Sequence, residues 1–332
     1  MEVKQEIRTL QKLGGSIALY LPKEWCRRNG IDRGSKVVVR YGEKALCVEI
    51  GEVRERSAVV DLDGIFEGEL KYVLISLYVM GFDRVRLVSK KRIGLSVRRF
   101  ILQVLNYTPG YEIAEEGENF VTIAIAREPG SPFEAVLREF NSVSTVFKYV
   151  IEVLEKAASI SEEYADAVGE LDSEVDRAWF EVERAIYKAI DRPHPGFPGV
   201  RVLISLLLVS RYLERLSDHL VQLVYEVREQ PLQQLDVANQ VRAMSSTFLD
   251  IAEIFKNLLK SREDSGDLDT VSKLVNFIEN KKSLRYSVIP RLRKESGTLA
   301  AYHVMRIYDY ITDIAEVAIN VIVSGFYSRT AS

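Results

Sequence analysis

Helical periodicity from Pro132 to the end of the chain is the feature that most limits the fold of this 332-residue sequence. Apolar residues recur there at alternating spacings of three and four, which places them on one face of an α-helix. Breaks at prolines and glycines delimit six predicted helices, at about 132–158, 161–190, 199–229, 235–262, 267–294 and 298–327. Long helices with short connections predict antiparallel packing, and three helices on each side of Pro231 predict two three-helix bundles.

The residues before this helical half follow other patterns. Residues 1–53 predict short strands and a helix over Lys23 to Asn29, with Gly30 just beyond its end. Residues 54–130 predict the order β-α-β-α-β-β, an open sheet with helices on one face. The chain is therefore predicted to be multidomain, with boundaries at 1–53, 54–130, 131–230 and 231–332. The first module has too small a core to be stable alone, so we expect it to pair with a second copy.

The charge and cysteine content of the chain say more about where the protein is located than about what it binds. The net charge is -3, but residues 1–50 hold ten basic and six acidic side chains. This asymmetry favours one region that faces an anion. Cys26 and Cys47 indicate no disulfide framework or metal motif. Without a secretory leader pattern or an apolar run near the roughly 20 residues of a membrane span, we expect a cytoplasmic protein with no membrane insertion.

Three pairs of acids stand beside the apolar stripes of the helical half. Glu214 and Asp218 share a face next to the predicted seam of the third helix of this half, and Asp172 and Asp176 have the same phase on the preceding helix. Asp309 and Asp313 form the third pair, on the last helix. Because two antiparallel helices carry the first four acids at equal phase, they are expected to converge into a hard-cation or iron site.

A second interpretation of these acids stays open. Acids four residues apart on a helix flank are commonly just solvated surface residues. Like charges at this spacing destabilise a helix by about a few tenths of a kcal/mol, so three such pairs without interleaved lysines are mildly unexpected.

The segments around these acids resemble the PhoU family of phosphate-uptake regulators. Leu213 to His219 reads Leu-Glu-Arg-Leu-Ser-Asp-His and is similar to the family's helix signature, Glu-Arg-Ile-Gly-Asp-His, and Leu171 to Asp176 resembles the companion segment. The resemblance implies divalent or iron-type metal ions bound on the bundle surfaces, and phosphate transporter or sensor components as partners. The implied ligand pairs are Glu214 with Asp218, Asp172 with Asp176, and Asp309 with Asp313. The last pair departs from the signature, and His219 is expected to be a flank residue.

Residues 7–50 resemble the SpoVT/AbrB swapped-hairpin domain, through the segments Leu13 to Ile17, Leu21 to Trp25 and Gly34 to Val39. That resemblance implies a homodimer that shares one β-barrel and regulates transcription by binding DNA. The candidate DNA contacts are Arg8, Lys12, Lys23, Arg27 and Arg28. Neutralised phosphates would make such binding strongly salt-dependent. A module that only dimerises is the alternative. The fusion of such a module to a PhoU-like half resembles archaeal PhoU-like proteins.

The segment from Arg84 to Arg99 is the densest basic stretch, with seven Lys and Arg residues and no acid. It predicts either an anion or nucleic-acid surface, or a partner for the acidic hairpin Glu112 to Glu118.

The competing functional hypothesis is a carboxylate-bridged metalloenzyme in a helical bundle. That class requires Glu-x-x-His motifs that project inward from two helices, and this spacing does not occur in the sequence. Nucleophile-elbow, phosphate-loop and Cys-x-x-Cys motifs do not occur either. The sequence therefore favours a regulatory protein over an enzyme.

Overall fold

The structure is a computed structural model that describes residues 6–41, 46–50, 55–156, 161–191, 199–228, 234–260, 268–280 and 284–329. The described chain divides into two compact units. One holds the described residues up to Ile50, and the other holds those from Glu55 onward. The sequence also predicts a turn at Gly42-Glu43 and helix breaks at Pro231 and Ser265-Gly266, and these positions lie outside the described residues.

The first unit contains two hairpins and one short helix. Strands β1 (Gln11–Leu13) and β2 (Ser16–Ala18) pair antiparallel, as do β3 (Val37–Tyr41) and β4 (Leu46–Ile50). Helix α1 covers Lys23–Arg28, and Asn29 is its C-cap residue. Gly30 follows with a φ of 63°, a left-handed conformation that suits glycine at the end of a helix. The described strands form two separate two-stranded sheets, so the shared barrel stays a prediction.

The second unit begins with an α/β layer. Its elements are β5 (Ser57–Asp61), α2 (Glu67–Val79), β6 (Arg84–Val88), α3 (Leu95–Leu105), β7 (Tyr111–Glu116) and β8 (Phe120–Ile125). The sheet order is β5-β6-β8-β7, with β5 parallel to β6 and the other pairs antiparallel. Alternating strand residues such as Val85, Leu87 and Ile123 are fully buried in one core with Leu74 and Ile101 of the helices.

The start of α3 differs from the sequence prediction. The sequence predicts a helix from Ser96 to Asn106 with Ser96 as its cap, but α3 begins at Leu95 and Gly94 occupies the N-cap position without a side-chain hydrogen bond. Gly94 takes the extended backbone conformation typical of a cap, which leaves Ser96 inside the first turn.

The remainder of the second unit is helical. Its helices are α4 (Pro132–Lys156), α5 (Glu162–Asp191), α6 (Val200–Arg228), α7 (Gln234–Lys260), α8 (Leu268–Glu279), α9 (Ile289–Ser296) and α10 (Thr298–Arg329). The predicted single helix at 267–294 is wrong in one respect, because α8 ends at Glu279 with Asn280 in a turn, and a π-helical turn at Leu284–Val288 leads into α9. Pro290 lies in the first turn of α9, where its missing N–H costs nothing.

Helix α6 occupies the centre of the helical packing. Helices α4, α5 and α6 contact one another, α10 packs along α6, and α7 packs along α4 and α10. The predicted apolar seam of α6 is confirmed, since Leu206, Val209, Leu213, Leu216, Leu220, Leu223 and Val227 are all buried. On α5, the helical periodicity predicts Tyr164 on the apolar stripe, but its side chain is 58% exposed. One continuous apolar core runs from α4 to α10. No helix within the described ranges is long and apolar enough to span a membrane.

Candidate carboxylate site on the helical unit

The structure brings four of the predicted acids together where α5 and α6 pack side by side. Asp172 and Asp176 come from α5, and Glu214 and Asp218 come from α6. The hydroxyl of Ser217 donates a hydrogen bond of 2.6 Å to Asp172 Oδ1 and so joins the two helices directly. We call these four residues the carboxylate cluster. The two acids of each pair lie one turn apart on their helix. Because the pairs have the same phase on two helices that pack together, they face each other.

Burial and the charge of neighbouring acids both act on the pKa values of the carboxylate cluster. Burial, with a smaller contribution from the charge of Asp218, raises the pKa of Asp172 to about 6 and that of Glu214 to about 7. Burial, followed by the charge of Asp218, also raises the pKa of Asp176, and burial raises the pKa of Asp218 itself. The cluster therefore favours bound protons or another cation near neutral pH.

Basic side chains partly neutralise the carboxylate cluster. Arg211 and Arg215 approach Glu214 Oε2 at 3.2 and 3.4 Å, and Arg215 also lies 3.3 Å from Asp218. For Glu214 these contacts are ion pairs without a hydrogen bond, because its Oε2 is buried and has no hydrogen-bond partner among the described residues. The guanidinium of Arg211 also lies 4.6 Å from the centre of the Trp179 ring. The oxygen of Glu214 thus keeps capacity for a further ligand.

Burial of Glu214 corrects the expectation that all these acids lie off the core. Glu214 is only 7% exposed, whereas the other three members are half-buried. The reason lies in the position of α6, which is packed by α4, α5 and α10 and has little surface left for solvent. A position beside the seam of a central helix is therefore covered by a neighbouring helix.

Glu139 of α4 is a functional candidate that sequence reasoning missed. It is fully buried, its Oε2 accepts a 2.5 Å hydrogen bond from the Ser210 hydroxyl, and its Oε1 has no partner among the described residues. Burial, followed by the charges of Glu214 and Glu183, raises its pKa well above the usual range. The signal was present in the sequence, because Glu139 interrupts the apolar stripe between Val136 and Val143.

The third predicted pair lies on another face of the packing. Arg306 donates a 3.2 Å hydrogen bond to Asp309. The charge of Asp313 instead affects Tyr212 of α6. Burial, followed by the charges of Asp313 and Glu316, raises the pKa of that tyrosine. The structure therefore places Asp309 and Asp313 beside α6 but does not add them to the carboxylate cluster.

The donor set of the carboxylate cluster fits a hard cation. Carboxylate oxygens with a nearby hydroxyl are the ligands that Ca²⁺, Mg²⁺, Mn²⁺ and iron accept. In the part of the chain that the structure describes, however, no group of three or more His, Cys, Asp or Glu side chains has the arrangement of a metal site. Ion binding would therefore require the carboxylates to turn away from their arginine partners.

A groove of about 740 Å³ lies beside the carboxylate cluster, between the α/β layer and α5. Lys71 of α2 lines it, with its ammonium 4.3 Å from the centre of the Tyr107 ring, and Arg177 of α5 lines the opposite side. The charge of Lys71 also lowers the pKa of Asp176, against the larger effect of burial. The α/β layer therefore contributes charge to the carboxylate cluster.

The basic segment from Arg84 to Arg99 pairs in part with the acidic hairpin. Arg86 lies 3.6 Å from Glu115, and Arg98 lies 2.6 Å from Glu116. The Arg86 guanidinium also lies 4.0 Å from the centre of the Phe120 ring. The predicted pairing of this basic segment with the acidic hairpin therefore holds for Arg86 and Arg98.

The candidate DNA contacts all have exposed side chains in the first unit. Lys23, Arg27 and Arg28 belong to α1, Lys12 belongs to β1, and Arg8 precedes β1. Two of them have acidic partners, since Arg28 lies 2.5 Å from Glu24 and Arg8 pairs with Glu6. Their role in DNA contact stays a prediction.

Comparison with known proteins identifies the class of the first three long helices. Residues 136–227, from α4 to α6, match the family model of the PhoU domain. The matched region contains the carboxylate cluster and Glu139 and covers less than half of the chain. Searches of curated proteins and of solved structures found no match. The PhoU match supports a PhoU-like protein, is consistent with regulation of phosphate transport, and indicates a regulatory rather than an enzymatic family.

Proposed function

We propose that this protein is a metal-responsive regulator of phosphate uptake whose carboxylate cluster binds divalent or iron-type ions. The observation that carries the proposal is the accumulation of partly buried negative charge inside the PhoU-matched region. Asp172 and Glu214 have pKa values of about 6 and about 7, so protons already compete for this site near neutral pH. A bound cation would replace those protons and lower the electrostatic cost of burying the carboxylates.

Ion binding would alter the surface of α6. Arg211 and Arg215 now neutralise Glu214 and Asp218, and a cation at the same oxygens would release both guanidinium groups toward solvent. The helical unit would then present a more basic surface to a phosphate transporter or sensor component. Ion occupancy is therefore the signal, and docking is the response.

Metal analysis of the purified full chain tests this proposal. Wild-type protein should retain iron or manganese after gel filtration, or bind added Mn²⁺ after removal of metals. Asp218→Asn should weaken binding by about tenfold or more, because loss of even an outer-shell partner weakens metal sites by that factor. Asp250→Asn is the matched control, since Asp250 is an exposed acid on α7. Metal content that is zero in the wild type, or equal in both variants, would refute the proposal.

A second ion site at Asp309 and Asp313 belongs to the same proposal. Asp309 is already paired with Arg306. The segment around Asp309 and Asp313 also lacks the Glu-Arg start and the final His that the Leu213 to His219 segment has. We therefore expect Asp309→Asn to remove fewer bound ions than Asp218→Asn does. The same metal analysis decides between one site and two.

We propose that the N-terminal module forms a homodimer. Among its described residues no side chain is fully buried, and Leu13 and Ile17 are 63% and 67% exposed. Val39 and Leu46 of the second hairpin are 46% and 57% exposed. A second copy would cover these apolar groups. Light scattering should give the mass of a dimer for the full chain, and Ile17→Asp should shift it toward the monomer. A monomeric wild type would contradict the proposal.

DNA binding is the further role that we propose for this dimer. Exposed Arg8, Lys12, Lys23, Arg27 and Arg28 supply the charge for phosphate contacts. Titration with duplex DNA at two salt concentrations should show affinity that falls steeply with salt. Lys23→Gln combined with Arg27→Gln should reduce that slope. No binding at low salt would leave dimerisation as the sole role of the module.

A further inference from the structure

Two of the three histidines of the chain meet in the packing between α6 and α10. His219 belongs to α6 and His303 to α10, and their Nδ1 atoms lie 2.8 Å apart. His303 is 9% exposed and His219 is half-buried. A hydrogen bond at this distance requires one ring to carry its proton on Nδ1 and the other to carry it on Nε2. The two nitrogen atoms thus face each other directly.

The separation of these nitrogen atoms is close to that of two ligands on one metal ion. Zinc–nitrogen bonds measure about 2.0–2.1 Å, so two imidazoles at a tetrahedral angle place their nitrogen atoms about 3.3 Å apart. The observed 2.8 Å needs an opening of about half an ångström to reach that geometry. The metal would take the place of the shared proton, which moves to Nε2 of the same ring, so no net proton is released.

Aromatic side chains enclose both imidazoles. Tyr310 stacks on the His219 ring at 5.7 Å between centroids, and Tyr302 meets both rings edge-on, at 5.7 and 5.4 Å. Neutral imidazole is the form of histidine that binds metal.

Charged groups near the pair act in both directions. Glu226 lies two turns beyond His219 on α6, and its charge raises the pKa of His303 against the larger effect of burial. Arg215 and Arg306 oppose a cation, but Arg215 pairs with Asp218 at 3.3 Å and Arg306 pairs with Asp309 at 3.2 Å.

We propose that His219 and His303 form a binding site for a borderline transition-metal ion such as Zn²⁺ or Ni²⁺, which connects α6 to α10. Imidazole nitrogen selects these ions, whereas the oxygen atoms of the carboxylate cluster select harder ones. Water completes the coordination. The site is independent of the proposed regulatory function, because it uses neither its ligands nor its partner.

Calorimetric titration of the metal-free full chain with Zn²⁺ tests this site. Wild-type protein should bind Zn²⁺ at the histidine pair, and His219→Gln and His303→Gln should each weaken that binding by about tenfold or more. His194→Gln, at a histidine outside the described residues, is the matched control and should retain it. Asp172→Asn should also retain it, which separates this site from the carboxylate cluster.

A measurement on the wild type guards against misfolded variants. In nitrogen-15 spectra of histidine-labelled protein, Zn²⁺ should shift the Nδ1 resonances of two histidines together, and both shifted signals should be lost in either variant. Unchanged Nδ1 resonances would overturn the proposal. Equal Zn²⁺ affinity in His303→Gln and the wild type, or no Zn²⁺ binding by the wild type, would also overturn it.

Discussion

Replacement of Arg184 by methionine should strongly destabilise the second unit. Arg184 of α5 is fully buried, although its side chain is charged. Its guanidinium donates hydrogen bonds of 2.8 and 2.9 Å to the carbonyls of Tyr78 and Phe82 in the α/β layer. It also donates to Glu128 at 3.1 Å and to Asp83 at 3.4 Å. One side chain therefore holds the sheet layer against the helix that carries half of the carboxylate cluster.

The magnitude follows from the partners that Arg184→Met would leave behind. Removal of one member of a buried ion pair costs about 3–5 kcal/mol, mostly because the other charge stays buried without compensation. Here Asp83 keeps the Lys188 ammonium at 2.7 Å, and the Phe82 carbonyl keeps the Tyr111 hydroxyl at 2.8 Å. The free energy of unfolding should therefore decrease by about 3 kcal/mol, which is the lower end of that range.

Urea unfolding followed by far-ultraviolet circular dichroism measures this loss. Arg177→Met is the matched control on the same helix, because Arg177 pairs with a half-exposed Glu174 at the surface. Exposed pairs contribute at most about 1 kcal/mol, so this control should stay close to the wild type. If both variants lose the same free energy of unfolding, the buried network does not join the two layers as argued.

Three further predictions concern single positions. Burial raises the pKa of Glu139 above its usual 4.5, so the native state holds a proton that the unfolded state releases, and stability should fall as pH rises above 4.5. Glu139→Gln should flatten this decline in urea midpoints measured at acidic and alkaline pH, and an unchanged slope would contradict the assignment. Asp218→Asn should lower the pKa of Glu214 from about 7, as followed by carboxyl carbon-13 shifts, because the Asp218 charge raises it. Gly110→Ala should lower the melting temperature, since Gly110 has a φ of 87° and a β-carbon there would meet the Arg127 carbonyl at 2.0 Å. A loss of more than about 1 kcal/mol is expected, and a neutral effect would refute the strain argument.

The candidate site was partly predictable because its pattern is local. Residues four apart on a helix share a face whatever the helix packs against, so Asp172 with Asp176 and Glu214 with Asp218 could be paired from spacing alone. That α5 and α6 contact each other followed from their length and short connection. The degree of burial did not follow, because spacing along α6 does not tell how closely the neighbouring helices pack over Glu214.

The sequence by itself determined the helices, the buried seam of α6, the α/β element order and the identity of the four acids, because periodicity and turn residues act over a few neighbours. Only the tertiary structure decided which distant groups meet. It buried Glu139 against Ser210, placed Arg184 among carbonyls of the sheet layer, and brought His219 to His303 across 84 residues. These contacts depend on which helices pack against each other, and local sequence does not determine that. Helix α6, for example, packs against α4, α5 and α10, which come from different parts of the chain.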